Sequence, residues 1–553
     1  MDEIKKSCAS TDSTQSDWDS INWLKCEVAV QKLQARIVKA QKEGRHNRVQ
    51  ALQWTLTHSF YAKALAVKRV TSNNGSKTAG VDMVTWKTSD AKISAIADLK
   101  RKGYTPQPLR RIHIKKSNGK LRPLGIPTMK DRAMQALYLM ALDPVAETTA
   151  DSHSFGFRKE RSTADAIQQC FIDLSKKVSP QWILEGDIKG CFDHISHDWL
   201  LDNVSMDKVI LKKWLKCGFV FNKQLFPTEE GTPQGGIISP TLANMALDGL
   251  ETLLSDNFPI NRSKKNYYTP MINLVRYADD FIITGVSEEL LENQVKPLII
   301  EFLQARGLTL SEEKTKITHI EEGFDFLGFN IRKYKGKFIT KPSKKSRKRF
   351  LDKVREIADK NKSAKQQSLI RLLNPVIKGW ANYYRGCSAS ETFRKADTQI
   401  FHKLWRWSRR RHPKKGRRWV ANKYYHTVRG RSWTFAVPLT KNGGEKFHTL
   451  VRLSDTKIKR HIKIRSEANP YDADWKDFFE KHKTRRMLAH LDGNQFIYRL
   501  WNKQMQCCPV CGKHITRETP WKMVEMTGSS RKVKVLIHNN CSRITNRNKW
   551  KLL

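Results

Sequence analysis

The chain has 553 residues, which is long enough for several domains with substantial cores. Lysine and arginine number 102 against 54 acidic residues, giving a formal net charge of +48 and a pI near 10.0. This excess is spread along the chain and favours a polyanionic partner, for which nucleic acid is the first expectation. No apolar run is long enough to span a membrane, and the polar N-terminus has no signal-peptide pattern. We therefore expect a cytoplasmic protein without membrane contact.

The N-terminal part of the chain is first polar and then helical in pattern. Residues 1–20 are rich in Ser, Thr and Asp and are predicted to be disordered. From Asn22 to about Val70, apolar residues recur at helical spacing between Lys and Arg, and residues 72–76 break the pattern. These basic helices are either a packed face with a solvated rim, which is the ordinary case, or an extension that binds RNA.

A basic β-hairpin is predicted over residues 109–126. Its centre, 117–119, has the Ser-Asn-Gly composition of a hairpin turn, and Lys115 and Arg122 flank it. Cations at such a tip could hold a triphosphate. Taken alone, however, the pattern favours a solvated edge hairpin that carries Lys against aggregation. A helix is predicted to follow from Met129 to Ala146.

Two segments place carboxylates at the ends of strands. The apolar strand Trp182–Asp187 ends in Asp187, which by itself is more typical of a helix cap or a turn. The segment Asn273–Ile283 has two apolar runs around Asp279 and Asp280, which predicts a β-hairpin with two adjacent carboxylates at its tip. Adjacent like charges are costly to bury unpaired, so either the tip is solvated or a cation such as Mg²⁺ binds there.

A glycine-rich loop at 231–240, which includes Gln234, leads into a helix predicted to run to about Leu254. Backbone N–H groups at such a helix start can face an anionic or base-bearing ligand, although the loop alone is a weak signal. After the acidic hairpin, a helix is predicted over 288–306, and segments around Lys314 and 327–328 follow.

The order of these pieces resembles the fingers and palm of reverse transcriptases over residues from about 75 to 335. The sequence Tyr277-Ala278-Asp279-Asp280 is the most specific short signature of that family. The resemblance implies an α/β (α+β) fold, a right-hand polymerase with fingers and palm that copies an RNA template into DNA from dNTPs.

The resemblance also implies a metal site. Asp187, Asp279 and Asp280, helped by the carbonyl oxygen of Ile188, are expected to hold Mg²⁺. The physical chemistry agrees, because a pair of such ions can stabilise the attacking and leaving oxygens of nucleotidyl transfer together.

The nucleotide-binding residues are assigned by the same resemblance. Phe192 is expected beneath the incoming sugar, where it excludes a 2′-hydroxyl, with a core aromatic as the alternative. Lys115 and Arg122 are expected at the triphosphate, and Gln234 near the template and the nucleotide.

Beyond residue 340 the chain becomes strongly basic and helical. Aromatic residues alternate with Arg over 404–419, which suits base stacking and phosphate contact on RNA. This part resembles the thumb, or maturase region, of group II intron-encoded proteins, which implies that it binds intron RNA and supports splicing. Residues 431–505 resemble the DNA-binding region of that family, although locally they are only a basic, mixed stretch.

Four of the ten cysteines cluster near the C-terminal end, and the other six are scattered singly, unlike a secreted disulfide framework. Cys508 and Cys511 form one pair at two-residue spacing, and His538 and Cys541 form a second, which suits a tetrahedral Zn²⁺ site. Their position resembles the HNH endonuclease of the family. The expected tandem His after a Trp is missing, however, because no His lies between Trp521 and His538. Such a knuckle could fold on zinc and yet cut nothing.

The sequence therefore predicts a right-hand polymerase with a helical thumb and a small C-terminal zinc-knuckle-like segment. Its predicted regions are an N-terminal basic extension (1–70), fingers and palm (71–340), a thumb or maturase region (341–430), a DNA-binding region (431–505) and an HNH-like remnant (506–553). Its predicted function is RNA-directed DNA synthesis coupled to the splicing and mobility of a group II intron, with intron RNA, template RNA, target DNA and dNTPs as partners. The alternatives are a splicing cofactor whose polymerase is unused, or a reverse transcriptase recruited to host defence. The sequence leaves open whether the protein is a homodimer.

Overall fold

The computed structural model describes residues 18–115, 119, 121–232, 235–260, 269–441, 444–491, 494–517, 519–527 and 532–545. Over these ranges, helices and small sheets surround two large hydrophobic cores and two smaller ones. None of the helices in the described part of the chain is long and apolar enough to cross a membrane.

The N-terminal region is a layer of helices packed on the first large core. Its helices are α1 (Trp23–Lys42), α2 (His46–His58), α3 (Phe60–Ser72) and α4 (Ser89–Asp98). Asn22 caps α1 by accepting a hydrogen bond from the backbone N–H of Lys25 at 3.0 Å. The predicted disorder is wrong for residues 18–20, because Trp18 is buried against the core and its ring contacts Trp23. Residues 1–17 lie outside the described residues.

The predicted basic hairpin is present and forms half of a four-stranded sheet. The sheet contains β1 (Leu109–Lys115), β2 (Leu121–Ile126), β4 (Phe219–Phe221) and β5 (Gln224–Phe226) in the order β2-β1-β4-β5. β1 pairs antiparallel with β2 and parallel with β4, so the hairpin is joined to a segment almost a hundred residues further along the chain.

A second sheet lies at the centre of the molecule and is called the palm sheet below. It contains β3 (Trp182–Asp187), β6 (Asn273–Tyr277), β7 (Asp280–Gly285) and β8 (Lys316–His319) in the order β6-β7-β3-β8, with every pairing antiparallel. The Leu, Ile and Phe residues of β3 and β7 are buried on both faces of the sheet. Leu184, Phe281 and Ile283 belong to the first large core, and Ile183 and Ile282 to the second.

The helices between these sheets pack around the palm sheet. They are α5 (Met129–Thr149), α6 (Thr163–Leu174), α7 (Cys191–His194), α8 (His197–Asn203), α9 (Lys208–Leu215), α10 (Ser239–Leu247) and α11 (Leu250–Asn257). After β7 come α12 (Glu288–Leu290), a π-helical segment (Leu291–Val295) and α13 (Lys296–Gln304).

The helix predicted to run to Leu254 is wrong in its continuity, because it breaks between α10 and α11. Gly249 stands at the break with a φ of +94°, a left-handed conformation that ends one helix and lets the chain begin the next. The helix predicted over 288–306 likewise contains a π-helical segment, which its apolar periodicity did not reveal.

The basic region after residue 324 forms the second large core. A three-stranded sheet of β9 (Phe324–Phe326), β10 (Phe329–Tyr334) and β11 (Lys337–Pro342) leads into the long helices α14 (Lys344–Lys360), α15 (Gln366–Tyr384) and α16 (Ser390–Arg410), then α17 (Arg417–Tyr424). Another three-stranded sheet follows, with β12 (Tyr425–Val428), β13 (Arg431–Lys441) and β14 (Gly444–Thr449).

The C-terminal part is a chain segment without helix or strand over 456–472, followed by a small domain-like unit. This unit contains α18 (Lys476–Leu491), α19 (Gln495–Lys503), the hairpin of β15 (Trp521–Thr527) and β16 (Lys532–His538), and α20 (Asn539–Thr545). Trp501 anchors its core and donates its indole N–H to the carbonyl of Ile515 at 2.9 Å.

Gly156 lets a loop lie directly against the turn between β6 and β7. A Cβ atom there would come within 2.4 Å of the backbone nitrogen of Ala278. Gly379, in the middle of α15, is exposed, and a Cβ atom at this position would have no heavy atom within 4 Å. At Gly156 the surrounding backbone therefore leaves no room for a side chain. At Gly379 there is room, and glycine only adds to the backbone entropy that the helix loses on folding.

We expect opposite effects of alanine at these two positions. Gly156→Ala should lower the free energy of unfolding by about 1–3 kcal/mol, because backbone must move to admit the methyl group. Gly379→Ala should raise it by about 0.5–1 kcal/mol, because alanine favours a helix interior. Thermal melting of both variants measures the difference, and equal shifts in the same direction would contradict the packing at Gly156.

Candidate active site

The pairing of the palm sheet brings the predicted carboxylates together. β3 and β7 are antiparallel, and Asp187 is the direct partner of Asp280 in their ladder. Directly opposed residues project their side chains on the same face of a sheet. The next pair inward is Gly186 with Phe281, whose ring occupies the space that a Cβ of Gly186 would need. The end of β3 and the start of β7 therefore form one acidic edge.

A tight turn adds the third carboxylate. Tyr277 of β6 pairs with Asp280 of β7, so only Ala278 and Asp279 connect the two strands. Ala278 is buried, and its φ of +59° is the left-handed geometry that two-residue hairpin turns require. The predicted hairpin and its acidic tip are present, and Asp187 lies beside that tip.

Burial and mutual repulsion act on these carboxyl groups. Burial, the charges of Asp279 and Asp187, and a hydrogen bond with Asp187 raise the pKa of Asp280 to about 7, although one side of Asp280 faces solvent. Burial and the charge of Asp187 also raise the pKa of Asp279. The cluster thus carries negative charge that the surrounding protein only partly offsets.

Lys314 supplies part of the missing positive charge. Its Nζ lies 2.5 Å from Oδ2 of Asp187, and the side chain of Lys314 is 63 % exposed. This hydrogen bond and the neighbouring carboxylates raise the pKa of Lys314. The ion pair of Lys314 could not be predicted from the sequence, because no local pattern links residues 127 positions apart.

The ring of Phe192 is half-buried at the edge of the first large core. It meets the ring of Phe157 edge to face, with the centroids 6.3 Å apart, and the backbone N–H of Thr232 donates to the carbonyl of Phe192 at 2.6 Å. Phe157 is 55 % exposed and has a φ of +60°. Phe157 was not predicted, although an aromatic residue between Gly156 and Arg158 could have signalled a ring held at a turn.

The structure describes only some of the other predicted site residues. Arg122 lies in β2, near enough for its positive charge to oppose the rise in the pKa of Asp279. Ile188 is buried and bridges Leu310, next to the carboxylates along the chain. Lys115 ends β1, but its side chain lies outside the described residues, and so does Gln234 as a whole.

Below the hairpin lies a buried ionic group. Arg276, fully buried in β6, forms an ion pair with Asp248 and lies 3.8 Å from a carboxylate oxygen of Asp151. Its backbone bonds to a neighbouring loop in both directions, donating to the carbonyl of His153 at 3.0 Å and accepting from the N–H of Phe155 at 2.9 Å. These bonds hold the loop 151–158 against the strand that leads into the acidic tip.

The loop at Leu327 and Gly328 is held by the thumb helix α15. Tyr383 donates its hydroxyl to the carbonyl of Leu327 and Tyr384 to that of Gly328, both at 2.9 Å. Leu327 has a φ of +50°, so the two tyrosines stabilise a strained turn that joins the palm side of the molecule to the basic helices.

Basic and aromatic side chains meet on the surface of the thumb. Trp419 is 40 % exposed, and the ammonium groups of Lys423 and Lys415 lie 4.7 Å and 5.6 Å from its ring centre. Trp433 is 54 % exposed at the edge of a cluster of rings that includes Phe401 and Trp405. Exposed rings among cations suit nucleobases and phosphates.

The four predicted sulfur and nitrogen ligands converge at the C-terminal unit. The ligand atoms of Cys508, Cys511, His538 and Cys541 all lie within 4.8 Å of one another. Cys511 Sγ is 3.3 Å from Nδ1 of His538. The paired cysteines come from the turn after α19, the histidine ends β16 and the last cysteine lies in α20, so the ββα unit itself brings the ligands together.

Comparisons with known proteins agree with the geometry. The family described as "Reverse transcriptase (RNA-dependent DNA polymerase)" matches residues 114–331, "N-terminal domain of reverse transcriptase" matches 18–99, and "Group II intron, maturase-specific domain" matches 347–425. The first of these contains the whole acidic edge, and the third covers most of the basic helices after residue 340.

Curated relatives point the same way. Protein YkfC of Escherichia coli K12 is 31 % identical over 321 residues, which cover 51 % of this chain and 83 % of the relative. Group II intron-encoded protein LtrA of Lactococcus lactis is 30 % identical over 413 residues, which cover 58 % of this chain and 68 % of the relative.

A solved telomerase structure from Candida albicans, in complex with a TWJ fragment of telomeric RNA, is a distant match. It has 13 % identity and a TM-score of 0.32 over 58 % of this chain and 61 % of the telomerase chain, too distant to inform function.

The family matches and the relatives thus confirm the predicted right-hand polymerase and its maturase region. The chain belongs to the group II intron-encoded reverse transcriptases, and it is an RNA-directed DNA polymerase that assists the splicing of intron RNA and copies that RNA into DNA during intron mobility.

Proposed function

We propose that Asp187, Asp279 and Asp280 are the catalytic carboxylates of this polymerase and that they hold Mg²⁺, with the carbonyl of Ile188 as a further ligand. The observation that carries the proposal is the convergence of the three side chains on one edge of the palm sheet. The donor set fits, because Mg²⁺ prefers carboxylate oxygens and would relieve the repulsion that raises the pKa of Asp280. When bound, a pair of these ions would stabilise charge on the attacking and leaving oxygens.

Lys314 would act on the same edge from the solvent side. Its ammonium group pairs with Asp187 in this structure. Because the side chain is long and mostly exposed, it can turn from Asp187 towards an incoming phosphate when a cation takes over the carboxylate. We therefore assign Lys314 to charge balance and triphosphate binding.

The nucleotide would lie between the basic hairpin and the acidic edge. Arg122, whose positive charge acts on Asp279, would bind the triphosphate, together with Lys115 of the same hairpin. Phe192 would lie beneath the sugar and exclude a 2′-hydroxyl, and its contact with Phe157 would hold its ring in place. Gln234 would lie near the template and the nucleotide.

Intron RNA would bind on the thumb through exposed rings and cations. Trp419, at the end of the segment 404–419, offers a stacking surface with the ammonium groups of Lys415 and Lys423 beside its ring. We also assign target DNA to the region 431–505. Dimerisation and a cytoplasmic location stay predictions.

The C-terminal unit would be a zinc knuckle without nuclease activity. Three thiols and one imidazole in tetrahedral range are a donor set that suits Zn²⁺. β15 carries no histidine, and Ser542 follows Cys541 where the endonuclease family has a histidine, so the general base of a nuclease is missing.

Removal of a carboxylate should abolish synthesis without loss of RNA binding. Asp187→Ala and Asp279→Ala should each reduce extension of a DNA primer on an RNA template by at least about a thousandfold, because the transferring phosphate loses its metal ligands. The affinity for intron RNA, measured by filter binding, should stay within about twofold, because the thumb is unchanged. Wild-type extension rates in both variants would refute the assignment of the carboxylates.

The carboxyl groups of the acidic edge should also make the stability of the protein depend on pH. The folded pKa of Asp280, about 7, lies above its unfolded value of about 4, so stability falls as pH rises from about 4 to about 7 and is lowest above that range. Without divalent metal, Asp280→Asn should therefore melt at a higher temperature than wild type at pH 8, and the gap should narrow towards pH 6. Addition of Mg²⁺ at pH 8 should raise the melting temperature of wild type more than that of the variant. Equal responses would contradict repulsion at this edge.

The knuckle should depend on zinc for its fold. Purified protein should contain about one equivalent of Zn²⁺ by mass spectrometry, and Cys511→Ala should lose it together with the exchange protection of β15 and β16. Cys217→Ala, in a cysteine outside the cluster, is the matched control and should keep the metal. Protein loaded with intron RNA should not nick a duplex target. Nicking that is lost on Cys511→Ala would overturn the inactive assignment.

A further inference from the structure

A segment from the predicted DNA-binding region runs across the fingers and palm. We call residues 459–472 the strap. It contains no helix or strand, yet Ile464 and Ala468 are each only 1 % exposed. Where an irregular segment is buried, as at these two residues, its backbone groups must be satisfied by specific partners.

The partners are residues at the start of α6. The side chain of Arg161 is 1 % exposed and donates to three strap carbonyls, those of Arg465, Ser466 and Ala468, at 3.2, 2.8 and 3.0 Å. Asp165 accepts from the backbone N–H of Ile464 at 3.0 Å and from Nε2 of His461 at 2.8 Å. One guanidinium and one carboxylate, four positions apart, thus hold the middle of the strap.

The C-terminal half of the strap is fixed on α5. Tyr471 donates its hydroxyl to Asp143 at 3.0 Å, and Asn469 donates to the hydroxyl of Thr148 at 3.1 Å. The ammonium of Lys159 lies 4.4 Å from the centre of the Tyr471 ring. Lys159 and Arg161 belong to the same loop, so that loop contacts the strap at two points.

The loop that holds the strap also supports the active site. At its other end, the carbonyl of Gly156 accepts a hydrogen bond from Asn244 at 2.7 Å, and Gly156 itself lies against the turn at Ala278. The next residue, Phe157, contacts the ring of Phe192. An unbroken series of contacts therefore runs from the strap through residues 156–161 to the acidic edge and to the ring assigned to the sugar.

We propose that the strap is a positioning element of the polymerase, and that Arg161 and Tyr471 are positioning residues that hold the Phe157–Phe192 pair beneath the incoming nucleotide. The inference rests on the proposed role of Phe192. A loosened strap would let the loop 156–161 move, and a displacement of this kind misplaces the nucleotide without removing any group that touches it. Nucleotide KM and sugar discrimination, rather than RNA binding, are the quantities that depend on the strap.

The test uses two conservative variants of the full-length protein. Arg161→Lys keeps the charge but cannot serve three carbonyls in the same way, and Tyr471→Phe keeps the ring on Lys159 but loses the bond to Asp143. Each should raise the KM for dNTP, and should lower discrimination against the matching ribonucleotide by at least about fivefold, with intron RNA affinity unchanged. Arg101→Lys is the control, because Arg101 forms an exposed ion pair with Asp207, outside the strap and outside the regions assigned to RNA and DNA.

Melting temperatures identify any variant that fails to fold. If Arg161→Lys fails to fold, the kinetics of Tyr471→Phe alone decide the test. A folded variant with control-like KM and control-like discrimination overturns the proposal. Phe192→Ala separates the two assignments. If it leaves discrimination unchanged, the role of Phe192 fails, while a raised KM in the strap variants still supports the strap as a positioning element.

Discussion

The structure depends on holding three carboxylates together against their repulsion. Asp187, Asp279 and Asp280 meet because two strands pair and a two-residue turn joins the second strand to its neighbour. Their mutual repulsion opposes this arrangement, as the raised pKa of Asp280 indicates. The apolar strands of the palm sheet, which are buried on both faces, offset that cost. The carboxylates that suit a metal ion therefore form a locally unfavourable arrangement, which a stable sheet holds in place.

Contacts between distant parts of the chain give the molecule its cohesion. Lys513 of the knuckle lies 2.5 Å from Glu27 of α1, and Lys42 at the end of α1 pairs with Asp472 at the end of the strap. The C-terminal regions therefore pack back onto the N-terminal helices as well as onto the palm. In a chain with 102 basic and 54 acidic residues, each such ion pair offsets part of the repulsion among the basic side chains.

Local patterns predicted the parts of the site that depend on local chemistry. The acidic turn, the strand that ends in Asp187 and the two ligand pairs of the knuckle were all readable from spacing, since hairpins and metal knuckles have short-range signatures. The ion pair of Lys314, the carbonyls held by Arg161 and the break at Gly249 were not. These features depend on partners up to about three hundred positions away, or on a backbone conformation that an apolar periodicity does not record.

The contact between Gly186 and the ring of Phe281 has a consequence for how the site can assemble. These residues form the rung next to Asp187 and Asp280, and the ring fits only where a side chain is absent. A register slip of one residue between β3 and β7 would place the ring opposite Glu185 or Asp187. It would also turn all the side chains of the slipped strand to the opposite face of the sheet. The pair therefore disfavours misaligned pairing of β3 with β7, because only glycine leaves room for the ring. Side-chain packing alone thus favours the register that places Asp187 opposite Asp280, before any cation or nucleotide binds.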